Sequence, residues 1–232
     1  MKVPRTLQIS LVWLLNNSLP PMLRDSRLLM APLMRIVFGE HAPMLMEFKQ
    51  RAMSMTQAEY VDFYRQLAPL ASSTETDLNR KCTTRILEDV AGSRVLEVGC
   101  GRGYLARKLC HRYDVTACDI VIDEGTRSKI PAVKFFEGDI EKLPFAEGEF
   151  ETVVCTHTLE HTRDLFASLT ELRRVASRRL IIVVPKERPY RYTFNAHLHF
   201  FPYRHTLQAA MGTNRSATCD VVGGDLLYVE DV

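Results

Sequence analysis

Two regimes of hydrophobic patterning divide the chain near residue 76. Beyond it, short strand-like segments recur: Val95, Leu96 and Val98, then Val115 to Cys118, Val133 to Phe136, Glu151 to Cys155, and Leu180 to Val184, the last made almost wholly of Ile, Val and Leu. Continuous runs of this length are expected of strands covered on both faces. Between them, Tyr104 to Tyr113 carries Leu105, Leu109 and Cys110 at near-helical spacing, and Leu165 to Val175 reads as a second helix. Strands alternating with helices predict a doubly wound α/β domain over residues 77–232. Pro185 stops the fifth strand. Ala217 to Val222 and Asp225 to Val229, separated by Gly223-Gly224, predict an antiparallel hairpin.

Residues 1–76 read as a helical lid or cap segment. Leu7 to Leu15 is apolar apart from Gln8 and Ser10, well short of the roughly 20 residues a membrane span needs. It lacks an A-x-A cleavage site, so a packed helix is expected there and not a secretory signal. Pro20 and Pro21 end it. A second helix is predicted from Asp25 to Phe38, broken or kinked at Pro32, and a third from Pro43 to Met53. Thr56-Gln57-Ala58-Glu59 is a capping box, after which Tyr60, Phe63, Tyr64 and Leu67 recur at helical spacing. Ser72 to Thr76 is expected to be a loop, and Asp77 to Val90 a helix leading into the first strand. Met22, Met30, Met34, Met44, Met46, Met53 and Met55 all fall in this segment. Methionines at helical spacing fill cores, so these are expected in the seam between lid and core. Cover for a variable apolar substrate, or peripheral contact with a lipid surface, is the functional counterpart.

Composition narrows the partner. A chain of 232 residues can bury a sizeable core, and a formal net charge of +2 without a long basic run gives no footprint for nucleic acid. Arg173, Arg174, Arg178 and Arg179 are expected to cap a helix C-terminus and its solvated loop. The six cysteines, Cys82, Cys100, Cys110, Cys118, Cys155 and Cys219, lack C-x-x-C spacing. They read as buried thiols in a reducing, cytoplasmic setting, not as a disulfide or zinc framework.

The chemistry is concentrated where the first predicted strand ends. Val95 to Ala106 reads VLEVGCGRGYLA. Gly99, Gly101 and Gly103 mark a bend that lets backbone approach a ligand, and the following helix would present its N-terminus there. Asp119 closes the second apolar run about 20 residues past the first glycine, where a nucleotide-binding fold places the carboxylate that accepts ribose hydroxyls. A dinucleotide would want G-x-G-x-x-G, but Tyr104 stands where the last glycine should be. Glu97 precedes the turn, where a carboxylate repels pyrophosphate and suits an ammonium or sulfonium. A dinucleotide-dependent oxidoreductase is therefore disfavoured and a cationic ligand expected.

With these residues the chain resembles the class I S-adenosylmethionine-dependent methyltransferases, and specifically the methyltransferase type 11 group, whose first motif runs hLEhGCGxGxh. The likeness continues through EGDIEKLPFAEGEFETVVCTHTLEHTRD, Glu137 to Asp164, and covers about Val95 to Pro185. It implies a seven-stranded, mostly parallel sheet of order 3-2-1-4-5-7-6 with the hairpin at its edge, and S-adenosyl-L-methionine as cofactor. By the same resemblance Glu97, Gly99, Cys100, Gly101, Gly103, Asp119 and Ile120 bind the cofactor, Asp139 contacts the adenine amino group, Ile140 packs on the ring, and Thr156 and His157 lie beside the methionine part. Two departures are visible: Glu151 stands where the group usually has Asp, and Thr156 and Thr158 flank His157 where small or apolar residues are common.

Methyl transfer needs the acceptor aligned with the sulfonium and water excluded; a base helps when the acceptor is a hydroxyl. His157 and His161 lie on the loop after the fourth strand, and Tyr190, Tyr192, Asn195, His197 and His199 on the loop after the fifth. Ligands of open α/β sheets bind at that end. His157, His199 and His197 are the candidate bases, whereas His161 belongs to the LEH element and is expected to order the loop. His197 and His199 alternate with Leu198 and Phe200, so an extended chain points both imidazoles one way; no third ligand is evident, and no metal site is expected. Tyr190, Tyr192, Phe194, Phe200, Phe201 and Tyr203 make an aromatic wall or a satellite packing cluster. The expected reaction is methyl transfer to a small molecule, on an oxygen of a phenolic, polyketide-like or lipid-like compound. A regulatory or scaffold subunit that binds the cofactor without chemistry is the alternative, against which intact Glu97, Asp119 and Asp139 speak.

Overall fold

The computed structural model describes residues 19–67, 75–192, 195–212 and 216–232. The expected Leu7 to Leu15 helix, Ser72 to Thr74 of the expected loop, and Phe194 lie outside them. The chain divides into two compact units, Met1–Ser73 with Glu187–Phe200, and Thr74–Lys186 with Phe201–Val232.

The first unit is helical. It contains α1 (Pro21–Arg24), α2 (Arg27–Phe38), α3 (Ala42–Arg51) and α4 (Gln57–Leu67), with single 3-10 turns at Gly39–His41 and Ala52–Ser54. Helix α2 runs through Pro32. Pro32 is exposed, so the Leu28 carbonyl that loses its donor faces water and the cost of the proline falls. The capping box before α4 is formed as expected: the Thr56 amide donates to Glu59 Oε2 at 2.8 Å and the Glu59 amide to Thr56 Oγ1 at 3.3 Å. Phe48 of α3 stacks on Phe63 of α4 with centroids 4.2 Å apart. The methionines split between roles. Met30 and Met34 are fully buried, and Met30 clusters with Tyr192, Leu19, Leu33 and Met46, while Met22 and Met53 are exposed.

Glu187–Phe200 is tied into this unit by polar contacts to its backbone. Arg24 donates to the Pro189 carbonyl at 2.5 Å, Asp25 accepts the Arg191 amide at 2.7 Å, and Lys49 donates to the Tyr190 carbonyl. The Lys49 ammonium lies 4.3 Å from the Tyr190 ring centroid and 4.2 Å from that of Phe200. Burial brings its pKa down to about 8, against the raising influence of Glu187 and Asp25.

The second unit is an α/β sandwich around one sheet: β1 (Arg94–Val98), β2 (Asp114–Asp119), β3 (Lys134–Glu137), β4 (Phe150–Thr156), β5 (Ala176–Pro185), β6 (Thr218–Val222) and β7 (Asp225–Asp231). The spatial order is β3-β2-β1-β4-β5-β7-β6, as the resemblance implies. Strands β1 to β5 pair in parallel, and β7 runs antiparallel to β5 and β6. The helices are α5 (Arg80–Asp89), α6 (Tyr104–Leu109), α7 (Glu124–Lys129), α8 (Leu165–Val175) and α9 (Arg204–Met211). Strand alternation splits the core in two. Leu180, Ile182 and Val184 join Leu169 and Leu172 of α8 and Leu207 of α9, whereas Ile181 and Val183 join Ile86 of α5 and Leu105 and Leu109 of α6.

Patterning alone misses α7 and α9. Helix α7 is held by its cap, with the Asp123 carboxylate accepting the amides of Gly125 and Thr126, and α9 buries only Leu207 and Met211. The four arginines need a correction. Helix α8 passes directly into β5 at Ala176, leaving no solvated loop to cap. Arg173 reaches across to Glu230 of β7 at 2.6 Å and to the Met211 carbonyl at 2.6 Å, and Arg174 pairs with Glu171 and holds the Phe145 carbonyl. Arg178 and Arg179, on β5, pair with Glu151 and Asp231. Glu230 is buried and also accepts the Tyr228 hydroxyl at 2.7 Å. Arg173→Leu should therefore destabilise the fold by about 3–5 kcal/mol, the cost of stranding a buried carboxylate, read by urea unfolding. A loss below about 1 kcal/mol would mean that Glu230 finds another counter-charge.

All six cysteines are free thiols, and all but Cys110 are buried. Burial pushes the Cys118 thiol up to about 12 and raises Cys100 and Cys155 as well, so these sulfurs are inert packing groups.

Candidate functional site

Four adjacent parallel strands, β3, β2, β1 and β4, deliver their last residues to one end of the sheet. In register, Glu97 on β1 lies between Ala117 of β2 and Val154 of β4, and Asp119 lies opposite Glu137 of β3. The sheet thus brings Glu97, Gly99, Cys100, Gly101, Gly103, Asp119, Ile120, Asp139, Ile140, Thr156 and His157 to its carboxyl end.

The glycine turn folds back on β2. The amides of Gly99 and Cys100 donate to the Cys118 carbonyl at 2.8 and 3.2 Å, and the Gly101 amide donates to Asp119 Oδ2 at 2.7 Å. Gly99 has φ +77°, and a Cβ there would meet Thr158 Oγ1 at 1.8 Å, so both the backbone and the neighbouring loop demand glycine. At Gly101 a Cβ would meet nothing within 4 Å. The space above that residue is open. Burial raises the Asp119 pKa, against the amides of Gly101, Val121 and Ile120.

Glu97 is the unusual group. It is buried, and the Ala106 amide, one of those the first turn of α6 leaves without an intrahelical acceptor, reaches its carboxylate. Its Oε2 has no hydrogen-bond partner among the described residues. Burial pushes its pKa up to about 8, and Asp119 adds to the rise. A buried carboxylate oxygen lacking a donor is expensive unless a ligand supplies one, and a cation would supply both charge and donor. The site therefore fits an ammonium.

Asp139 closes an Asx turn onto the Glu141 amide at 2.9 Å, and Ile140 packs half-buried on the β4–β5 core. Thr156 is buried, and its carbonyl accepts the Thr158 hydroxyl at 3.0 Å. His157 has φ +50° and donates its amide to the Val183 carbonyl at 2.8 Å. Its Nδ1 lies 3.5 Å from Glu160 and its Nε2 3.4 Å from Asp225, ion-pair distances in a buried setting. Burial lowers its pKa, but the two carboxylates overcome that and raise it to about 10. Both ring nitrogens thus face carboxylates, an arrangement that favours the imidazolium over the neutral ring a base needs.

Asp225, Glu160 and Asn79 escape sequence reasoning. Strand β7 pairs with β5 so that Asp225 stands opposite Pro185, and Asp225 also accepts from Asn79, the N-cap of α5, at 2.7 Å. Only the long-range pairing brings Asp225 and Asn79 here; Glu160 stands three residues along the same loop. Glu151, the departure from the usual Asp, accepts the amides of Ser93 and Arg94 at 2.7 and 3.2 Å, which bring its carboxyl down to about 2. The expected bases in the aromatic loop belong to the helical unit. His197 is buried with Nδ1 2.7 Å from Glu187, and His199 is half-buried.

The comparisons with known proteins agree with this geometry. Residues 96–183 match the family model described as Methyltransferase domain. The chain is 30% identical over 131 residues to a demethylmenaquinone methyltransferase of Beutenbergia cavernae, covering 53% of this chain and 54% of that one. It is 35% identical over 120 residues to a fatty-acid O-methyltransferase of Mycolicibacterium smegmatis, covering 46% and 43%. The chain spans about half the length of the curated relatives it matches. Among solved structures, a Burkholderia thailandensis 1,6-didemethyltoxoflavin-N1-methyltransferase bound to its substrate and S-adenosylhomocysteine aligns with a TM-score of 0.59 at 18% identity, over 76% of this chain and 90% of that one. Sheet order, glycine turn and sequence match converge: residues 96–183 match a methyltransferase domain, and the seven-stranded sheet around them has the order of the class I, Rossmann-like fold.

Proposed function

We propose that the chain is an S-adenosylmethionine-dependent methyltransferase acting on a small-molecule acceptor. The observation that carries the reading is the buried, donor-less Oε2 of Glu97 beside an open glycine turn. When bound, S-adenosylmethionine supplies an electrophilic methyl group on its sulfonium. In this reading Glu97 holds the ammonium, the backbone of Gly99, Cys100, Gly101 and Gly103 lies along the ligand, and Asp119 takes the ribose hydroxyls with Ile120 beside it. Asp139 takes the adenine amino group, Ile140 covers the ring, and Thr156 and His157 line the methionine end.

His157 then acts as a positioning residue, a fixed imidazolium between Glu160 and Asp225 that orders the loop after β4. Proton removal, where the acceptor requires it, falls to His199 or His197. An oxygen of a lipid-like, phenolic or polyketide-like compound is the favoured acceptor; the relative named a fatty-acid O-methyltransferase supports the oxygen and the lipid-like class.

Calorimetry with S-adenosylmethionine tests the cofactor assignment. Asp119→Ala should weaken binding at least about tenfold through loss of charge-assisted hydrogen bonds. Gly101→Val should do the same by filling the open space above the turn. Unchanged affinity in both variants would remove this turn from the cofactor site.

A further inference from the structure

We propose that the outward face of α2 is a docking surface for an anionic phospholipid bilayer, with Arg27 and Arg191 receiving a lipid phosphate. The proposal is independent of the acceptor's identity and of methyl transfer itself.

Helix α2 is apolar on both sides. Met30 and Met34 fill the interior, yet Leu28 is 91% exposed and Ile36 68% exposed, with Leu29 and Pro32 also exposed. At 100° per residue, Arg35, Leu28, Pro32, Ile36 and Leu29 share one outward arc of about 120°. Met22 of the preceding α1 is 87% exposed as well. An isolated exposed leucine needs no explanation, but an apolar arc on one helix does. No acidic residue occurs from Ser26 to Gly39, whereas Arg27 and Arg35 do. An apolar centre with arginine at its flanks is the pattern of a helix lying in a membrane interface.

A cleft in the same unit supplies the second observation. It has a volume of about 180 Å³ and is lined by Arg27, Met46, Glu47, Gln50, Arg191 and Tyr192. The guanidiniums of Arg27 and Arg191 have no carboxylate partner among the described residues. Arg191 is steadied over the Tyr192 ring at 5.4 Å, and its amide is fixed by Asp25 at 2.7 Å. Two arginines against one glutamate leave the cleft cationic, with forked donors suited to phosphate oxygens. Arg27 belongs both to this cleft and to the first turn of α2, so the anion site and the apolar arc start on the same helical turn. Charge and apolarity together select an anionic lipid surface over an acidic solute or a purely hydrophobic protein face.

Co-sedimentation of the full chain with vesicles tests this, comparing phosphatidylcholine alone with an equal mixture of phosphatidylcholine and phosphatidylglycerol. Wild type should partition onto the anionic vesicles only, and less so as salt rises. Leu28→Glu with Ile36→Glu, at positions exposed enough to leave the fold intact, should lower partitioning at least about tenfold. Arg27→Gln with Arg191→Gln should lower it by about fivefold for each charge. The proposal would be overturned by wild type that stays in the supernatant with both vesicles, by binding that survives both variant pairs, or by a Leu28→Glu/Ile36→Glu variant that dissociates a dimer, which would make the face a contact between copies. Inorganic phosphate displacing all bound protein where chloride at equal ionic strength displaces none would assign the cleft to a free anion and equally overturn it.

Discussion

Glu97→Gln should weaken S-adenosylmethionine binding at least about 100-fold and, in the same molecule, sharply reduce a pH-dependent loss of stability. The two effects share one cause. The carboxyl is buried and carries a pKa of about 8 against 4.5 for an ordinary glutamate. Between these values the native state holds a proton that the unfolded chain has released, so native stability falls as pH rises from about 4.5 and levels off above about 8. The full shift corresponds to about 5 kcal/mol. Glutamine does not titrate, so the variant's melting temperature should decline much less than the wild type's over that window, the remaining slope coming from Asp119 and, above about pH 6.5, from His157, whose folded-state pKa values are also raised. Ligand binding reverses the sign. An ammonium at Oε2 favours the carboxylate, so each binding event below about pH 8 releases a proton and affinity climbs about tenfold per pH unit. The ligand's own α-amino group loses its charge near pH 7.7–8.0, and beyond that affinity falls again. Calorimetry in buffers of different ionisation enthalpy reads the proton release directly. A wild-type affinity independent of pH, with no proton released, would show that Glu97 does not meet the ammonium.

Glu97 is legible in the sequence as a site residue, but its burial energetics are not. Glu97, Gly99 to Gly103 and Asp119 can be read because local rules bind them: a strand ends, glycine permits the bend, and a carboxylate follows the next strand at a fixed remove. The parallel strands are legible for a similar reason, since buried parallel strands write themselves as continuous apolar runs; their order in the sheet comes from the family resemblance and not from the patterning. The partners of His157 are not. Asp225 reaches it only because β7 pairs antiparallel with β5 and places Asp225 opposite Pro185, and no spacing along the chain announces that pairing. His157 therefore reads as a free base, while the fold sets its ring between two acids that favour the imidazolium. Arg173 misleads in the same way: four arginines in one stretch suggest a solvated helix end, but Arg173 instead spans to Glu230 in the last strand. Patterning fixes which residues face inward; it is silent on which buried charges find each other.

Gly99→Ala should destabilise the fold by about 2–5 kcal/mol, combining about 1–2 kcal/mol of left-handed strain with an overpacking cost of about 1–3 kcal/mol. The overpacking has a named partner. A methyl at position 99 would lie 1.8 Å from Thr158 Oγ1, 2.7 Å from its Cγ2 and 2.8 Å from its Cβ. Thr158→Ala removes the first two contacts and leaves the third, still closer than real Cβ contacts allow, so the double variant with alanine should recover only part of the loss. Thr158→Gly removes all three, and with Gly99→Ala should return the unfolding free energy to within the backbone strain once the cost of Thr158→Gly alone is subtracted. Urea unfolding of the full cycle should therefore give coupling of at least about 1 kcal/mol, larger for glycine than for alanine. Additive effects would mean that the turn escapes by moving away from Thr158. The graded outcome matters for function because Thr158 follows His157 directly: the turn after β1 and the loop after β4 interlock at this contact. A side chain that pries them apart separates Glu97 and the glycine amides from Thr156 and His157, so cofactor affinity should follow the same order as stability across wild type, Gly99→Ala and its two double variants.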